Sequence, residues 1–144
     1  MKQFFTIMLA FLLTSCSQIY TNRETDKEAG EKIPKKFYWE IRYGGAQDNL
    51  LKLFGDEFFE ATSKDKFLES IGVAENKIGP IQEYNLVKWE TLIVKGSNAK
   101  SEYLFVYDLK RGTNKTQETF SLKKDENGDI KIIGYRVNQD LMNP

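Results

Sequence analysis

The 144-residue chain contains no histidine, a single cysteine and only three prolines. The absence of histidine excludes Ser-His-Asp and Cys-His triads, zinc sites built on imidazole, and imidazole as an acid–base catalyst. One cysteine cannot form a disulfide within the chain. A glycine-rich phosphate loop is also missing, because Gly44 and Gly45 lack the required spacing and fit the end of a helix instead.

An excess of charge of either sign is missing as well. The chain has 21 Lys and Arg and 21 Asp and Glu, and the two signs alternate along it. Nucleic-acid-binding proteins usually carry a basic stripe, and none is visible here, so we predict no nucleic-acid partner. The acidic segment at 125–129 (DENGD) resembles a calcium loop in composition, but it is too short and lacks the closing glutamate. We therefore predict a polar turn there, and no metal or other cofactor.

The N-terminus has the layout of an export signal. Lys2 supplies a positive charge, and residues 4–13 (FFTIMLAFLL) form an uninterrupted apolar run. A run of about ten residues suits the apolar core of a signal peptide and is too short to span a bilayer. The run ends in the tetrapeptide LTSC at 13–16, where an ordinary secretory signal would have a small-x-small cleavage site.

The tetrapeptide at 13–16 resembles the lipobox of bacterial lipoproteins at all four positions. The resemblance implies a signal peptide over residues 1–15 and lipid attachment to the thiol of Cys16, which cleavage turns into an acylated N-terminus. Two or more acyl chains, such as palmitate, hold a protein stably on a membrane. Ser17 is not the aspartate that retains lipoproteins in the inner membrane of enteric bacteria, so the outer membrane is the favoured location in the cell envelope.

The remaining chain divides into a polar stretch and one domain. Residues 16–33 are predicted to form the lipidated N-terminus and a polar tether, and residues 34–144 a single α+β domain. Pro34 suits the first turn of a helix. Alternatively, the helix could begin near Asn22 and kink at Pro34, and the sequence leaves both starts open.

Hydrophobic periodicity gives the order of elements in the domain. Three helical segments precede Pro80, and Ser63 is the predicted N-cap of the third. The period then changes to two over four strands, which are separated by turn residues at 96–98, 112–113 and 127–128. We expect N-terminal helices packed on a curved four-stranded antiparallel meander, an α+β fold.

This order of elements resembles the nuclear transport factor 2-like superfamily, also described as a cystatin-like α+β roll. The resemblance rests on element order over about residues 34–139. It implies a sheet that wraps around the helices and leaves a pocket at its wide end. Members of the superfamily include isomerases, dehydratases, hydrolases and non-catalytic binding domains, so the fold does not select a function.

The turn at 112–113 sets the register of the sheet. A two-residue loop there pairs Arg111 with Asn114, and it places Tyr107 opposite Glu118. The face predicted to pack on the helices carries Tyr103, Phe105, Tyr107, Leu109, Phe120, Leu122, Ile133, Tyr135 and Val137.

Glu118 is the charged residue with the most distinctive predicted position, on the aromatic face near Tyr107 and Tyr135. A carboxylate in a dry aromatic pocket has a raised pKa, and it can act as a general base or hold a polar ligand. The alternative is an open sheet end, where Glu118 would lie in solvent and pair with a lysine or with Arg136.

Three further aromatic residues, Tyr84, Trp89 and Tyr103, could line a ligand cavity. Aromatic residues on a sheet more often belong to the core.

Two functions from different classes follow. The first is a non-catalytic binding module anchored in the cell envelope, whose partner is another envelope protein, a small apolar ligand, or a toxin neutralised by an immunity protein. The second is a small histidine-free isomerase or dehydratase that uses Glu118 and the pocket tyrosines. A deep cavity ending at Glu118 favours the enzyme, whereas a filled core with exposed aromatic residues favours the binding module.

Overall fold

The structure is a computed structural model that describes residues 16–138. The signal peptide predicted over residues 1–15 lies outside the described residues, as do residues 139–144. In chain order the elements are β1 (Gln18–Thr21), α1 (Glu24–Tyr43), α2 (Gln47–Leu51), α3 (Asp56–Ala61), α4 (Lys64–Lys77), β2 (Ile81–Lys95), β3 (Lys100–Arg111), β4 (Asn114–Lys124) and β5 (Ile130–Asn138).

The fold is α+β, with the main helices preceding an antiparallel sheet of order β1-β2-β3-β4-β5. The predicted meander corresponds to β2 through β5. The predicted number of four strands is wrong, because β1 adds a fifth strand that pairs with the end of β2, from Gln18 opposite Lys95 to Thr21 opposite Leu92.

The segment expected to be a polar tether contains β1 and the first half of α1. Asn22 makes the turn between them with a left-handed φ of 51°, which asparagine tolerates well. Its backbone N–H donates to Thr91 O (3.0 Å), and its Oδ1 accepts from Thr91 N–H (2.9 Å). Of the two starts left open for the first helix, the earlier one holds, since α1 begins at Glu24 and continues through Pro34.

Helix α1 packs across the inner face of the sheet. Phe37 and Tyr38 are both fully buried, and their rings lie 5.1 and 5.6 Å from the ring of Phe120. Edge-to-face aromatic pairs at such distances add to the free energy gained by burial. Gly30 permits this close packing, because a Cβ at that position would lie only 2.6 Å from the ring of Tyr103.

The remaining helices cover the β5 side of the core. The predicted second helix is split into α2 and α3 by a short extended segment that bonds to β5. Gly55 N–H donates to Ile132 O (2.9 Å), and Ile132 N–H donates to Leu53 O (2.8 Å), which covers part of an otherwise free strand edge. Ser63 caps α4 as predicted, its hydroxyl accepting from Lys66 N–H (3.3 Å).

The predicted register of β3 and β4 is confirmed, with Arg111 opposite Asn114 and Tyr107 opposite Glu118. The tight turn between these strands uses Gly112, whose φ of 57° is a conformation that glycine adopts at little cost. Six of the predicted inner-face residues are nearly or fully buried: Tyr103, Phe105, Tyr107, Leu109, Phe120 and Leu122.

One predicted inner-face residue, Ile133, is placed wrongly. The register shifts within β5, because Ser121 pairs with Gly134 whereas the next residue, Leu122, pairs with Ile132. Ile133 is the extra residue of this β-bulge. Ile132 is fully buried in its place.

Candidate functional site

Glu118 forms a buried ion pair with Arg111. Both side chains are almost completely shielded, at 0% and 1% exposure. Arg111 Nη2 donates to Glu118 Oε1 (2.9 Å), and Arg111 Nη1 donates to Gly79 O (3.2 Å). The same Nη1 lies 3.9 Å from Glu75 on α4. Removing two charges from water is costly, so this pair depends on its close geometry and its neighbouring acceptors.

Arg111, the partner of Glu118, was not predicted from the sequence. Arg136 does not fill this role, because it is exposed and pairs with Thr119, on the opposite face of the sheet from Glu118. Arg111 has the same inward parity as Tyr107 in β3. The confirmed register therefore contained the signal that could have identified it.

Two tyrosine hydroxyls lie in the surroundings of the pair. Burial raises the pKa of Tyr38 and Tyr135 well above the usual value, and the charge of Glu118 raises both further. Neither hydroxyl makes a hydrogen bond of good geometry, and the same holds for Glu118 Oε2, Arg111 Nε and Thr116 Oγ1. Because their pKa values are raised, the two tyrosines remain neutral. Glu118 is held by its electrostatic attraction to Arg111 and by one direct hydrogen bond from it.

The other candidate residues are distributed over the fold. Tyr107 is buried, its hydroxyl lies 3.5 Å from Glu31 Oε1 on α1, and burial with the charge of Glu31 raises its pKa. Trp89 is half-buried near the start of α1, with Lys27 Nζ 5.4 Å from its ring centre. Tyr103 is nearly buried on the inner face of the sheet, against Gly30 of α1. Of the predicted pocket residues, only Tyr135 joins Glu118 in one polar cluster.

The outer face of the sheet carries a groove of about 510 Å³, which we call the outer-face groove. Leu92 and Leu104 line it and are partly exposed. Glu90, Glu102 and Ser121 also line it. Glu118 does not line this groove.

A larger groove of about 930 Å³ lies between the short helices and the β4–β5 turn. Two of its lysines are bonded within the protein: Lys123 Nζ donates to Glu57 (2.9 Å), and Lys131 Nζ donates to the backbone O of Lys52 (2.7 Å). We assign no ligand to this groove.

Within residues 16–138, no cluster of three or more acidic or cysteine side chains could hold a metal ion. No helix in that range is long and apolar enough to cross a membrane. Cys16 is exposed and unpaired, and only Ser17 separates it from β1.

Comparison with known proteins gives no match: no family model, no curated protein and no solved structure is similar to this chain. The resemblances to lipoproteins and to the nuclear transport factor 2-like superfamily therefore stay predictions.

Proposed function

We propose that this chain is a lipid-anchored, non-catalytic binding domain of the bacterial cell envelope, with the outer membrane as its favoured location. The observation that carries the proposal is the complete burial of Glu118. The inner face of the sheet is filled by Phe37 and Tyr38 of α1, and Glu118 has no exposed surface. An isomerase or dehydratase would need this carboxylate to reach a substrate, so its burial favours binding over catalysis.

The outer-face groove is the binding surface that we propose. Its volume of about 510 Å³ lies in the range of small-ligand sites, which combine an apolar lining with a few polar groups. Leu92 and Leu104 supply apolar lining, and Glu90 and Glu102 supply polar groups. Such a surface suits a small apolar ligand or an apolar segment of another envelope protein.

Substitution of Leu104 by glutamate tests the groove. We expect the fluorescence of the apolar probe N-phenylnaphthylamine to rise on binding to the unchanged protein, and this rise to be lost in Leu104→Glu. The reason is that the variant replaces an apolar lining residue of the groove by a charged one. Val73→Glu is the matched control, because Val73 is exposed on α4, outside the groove.

A protein partner is tested by a photo-cross-linking amino acid at position 104 in intact cells, with position 73 as the control. Adducts of one defined mass from position 104 alone support the proposal. If the probe binds both variants equally and position 104 yields no specific adduct, the groove is not the binding surface.

Substitution of Cys16 tests the anchor separately. Cys16→Ala is expected to abolish incorporation of radiolabelled palmitate, because the variant has no thiol to which the lipid can be attached. Ser17→Ala is the matched control and should label normally. Labelling that persists in Cys16→Ala would show that the lipid is attached elsewhere or that the label is unspecific.

A further inference from the structure

The exposed face of the second half of α1 is both basic and aromatic. It carries Lys32, Lys36, Trp39, Arg42 and Tyr43, which we call the α1 stripe; all five side chains are exposed. Trp39 and Tyr43 are 55% and 64% exposed, and their ring centres lie 6.3 Å apart. The Arg42 guanidinium lies 5.2 Å from the Tyr43 ring. This surface is not evident from the sequence, where basic and acidic residues alternate. The helix places these five side chains on one side.

The positive charge of the α1 stripe is not neutralised locally. Among residues 16–138, none of the ion pairs involves Lys32, Lys36 or Arg42. Glu40 lies in the same stretch of helix but is only 7% exposed. Three of the four acidic residues in the first half of α1 are in ion pairs, as Arg23–Asp26, Lys27–Glu24 and Lys35–Glu31. The fourth, Glu28, is exposed one turn before Lys32, so the stripe keeps an excess of positive charge.

We propose that the α1 stripe docks the domain on an anionic phospholipid surface. Tryptophan and tyrosine prefer the headgroup level of a bilayer, where one side of the ring system meets apolar chains and the other meets water. Lysine and arginine on the same helix face attract anionic headgroups. The stripe combines both features on one exposed surface of α1.

The position of α1 in the fold is compatible with docking on a membrane. Trp39 lies about 22 Å along the helix axis from Glu24, and Glu24 follows closely after β1. The stripe would therefore provide a membrane contact about four helical turns beyond the start of α1, in addition to a lipid on Cys16. Because α1 covers the inner face of the sheet, docking through its exposed side turns the outer-face groove away from the membrane. The docking proposal rests on α1 alone and does not require that groove to bind anything.

The test uses the membrane-attached protein, reconstituted into brominated phosphatidylcholine vesicles with or without phosphatidylglycerol. Bromine atoms quench tryptophan at short range, and subtraction of the Trp39→Phe variant isolates the Trp39 signal from that of Trp89. We expect Trp39 to be quenched in the anionic vesicles and not in the neutral ones. Added salt should relieve the quenching, since it screens exposed charges.

Charge substitutions complete the test. Replacing Lys32, Lys36 and Arg42 by glutamine is expected to lower the ratio of docked to undocked protein by roughly 100-fold. The control variant replaces three exposed lysines of the sheet by glutamine, at Lys88, Lys110 and Lys115. It should leave the quenching of Trp39 unchanged.

Three outcomes would overturn the proposal: no quenching in either vesicle type, equal quenching in both, or an equal loss in the control. An absence of quenching would point to an acidic protein as the occupant of the stripe. Flotation with the vesicles reports the anchor independently, so failure of the anchor and failure of the stripe are distinguishable.

Discussion

Replacing Arg111 by methionine is expected to lower the free energy of unfolding by about 3–5 kcal/mol. The substitution leaves Glu118 without its partner at a position of 0% exposure, where an unpaired charge is costly. Urea denaturation followed by circular dichroism measures the change.

A double-mutant cycle separates the ion pair from simple loss of packing. Arg111→Met combined with Glu118→Leu removes both charges and is expected to recover most of the stability, because apolar residues often replace a buried pair without loss. Arg136→Met is the matched control; it removes an exposed arginine from β5 and should change stability by less than about 0.5 kcal/mol. Equal losses in Arg111→Met and Arg136→Met would contradict the importance of the pair.

Stability is also expected to decrease steeply above pH ~10. Tyr38, Tyr107 and Tyr135 all have a raised pKa in the folded protein, chiefly because of burial. Their contribution is complete below the unfolded pKa of about 10 and is lost as the pH rises towards the folded values, because only the unfolded chain then releases these protons. Between the unfolded and folded pKa values, each tyrosine lowers the free energy of unfolding by about 1.4 kcal/mol per pH unit. The three together lower it by roughly 4 kcal/mol per pH unit.

Two measurements check this alkaline loss. Urea denaturation across the alkaline range gives the slope, and tyrosinate absorbance shows whether the three phenols ionise only on unfolding. Tyr135→Phe is a suitable variant, because its hydroxyl has no hydrogen-bond partner, and it should reduce the slope by about one tyrosine's share. Ionisation of all the tyrosines near pH ~10 in the folded protein would contradict the prediction.

The order of elements could be predicted from the sequence because it depends on local signals. The change from helical to alternating periodicity at Pro80 and the tight turn at Gly112 were sufficient for the α+β class and the β3–β4 register. Strand β1 was missed because its four residues, QIYT, are too few to show an alternation. Its position depends on pairing with the distant end of β2.

The candidate site was predictable only in part. The register placed Glu118 on the inner face, but a charged residue at a strand end looks like a surface residue, so Arg111 was overlooked. The bulge at Ile133 arises from the pairing of β5 with β4. Its signal in the sequence is the neighbouring Gly134 inside a strand, which was not interpreted as a bulge. The α1 stripe was not predicted because lysines and acidic residues alternate along the sequence. In the helix the basic residues of the stripe lie on one face, and most of the acidic residues of α1 are in ion pairs.

The short link between Cys16 and β1 would determine how far from the membrane a lipid-anchored domain can move. A flexible tether over residues 16–33 would have allowed an excursion of about 60 Å, enough to search a wide volume around the anchor. With only Ser17 between Cys16 and β1, a lipid on Cys16 would leave about one residue length of slack. The domain would then work at a fixed height, and its partners would have to come to the membrane to meet it.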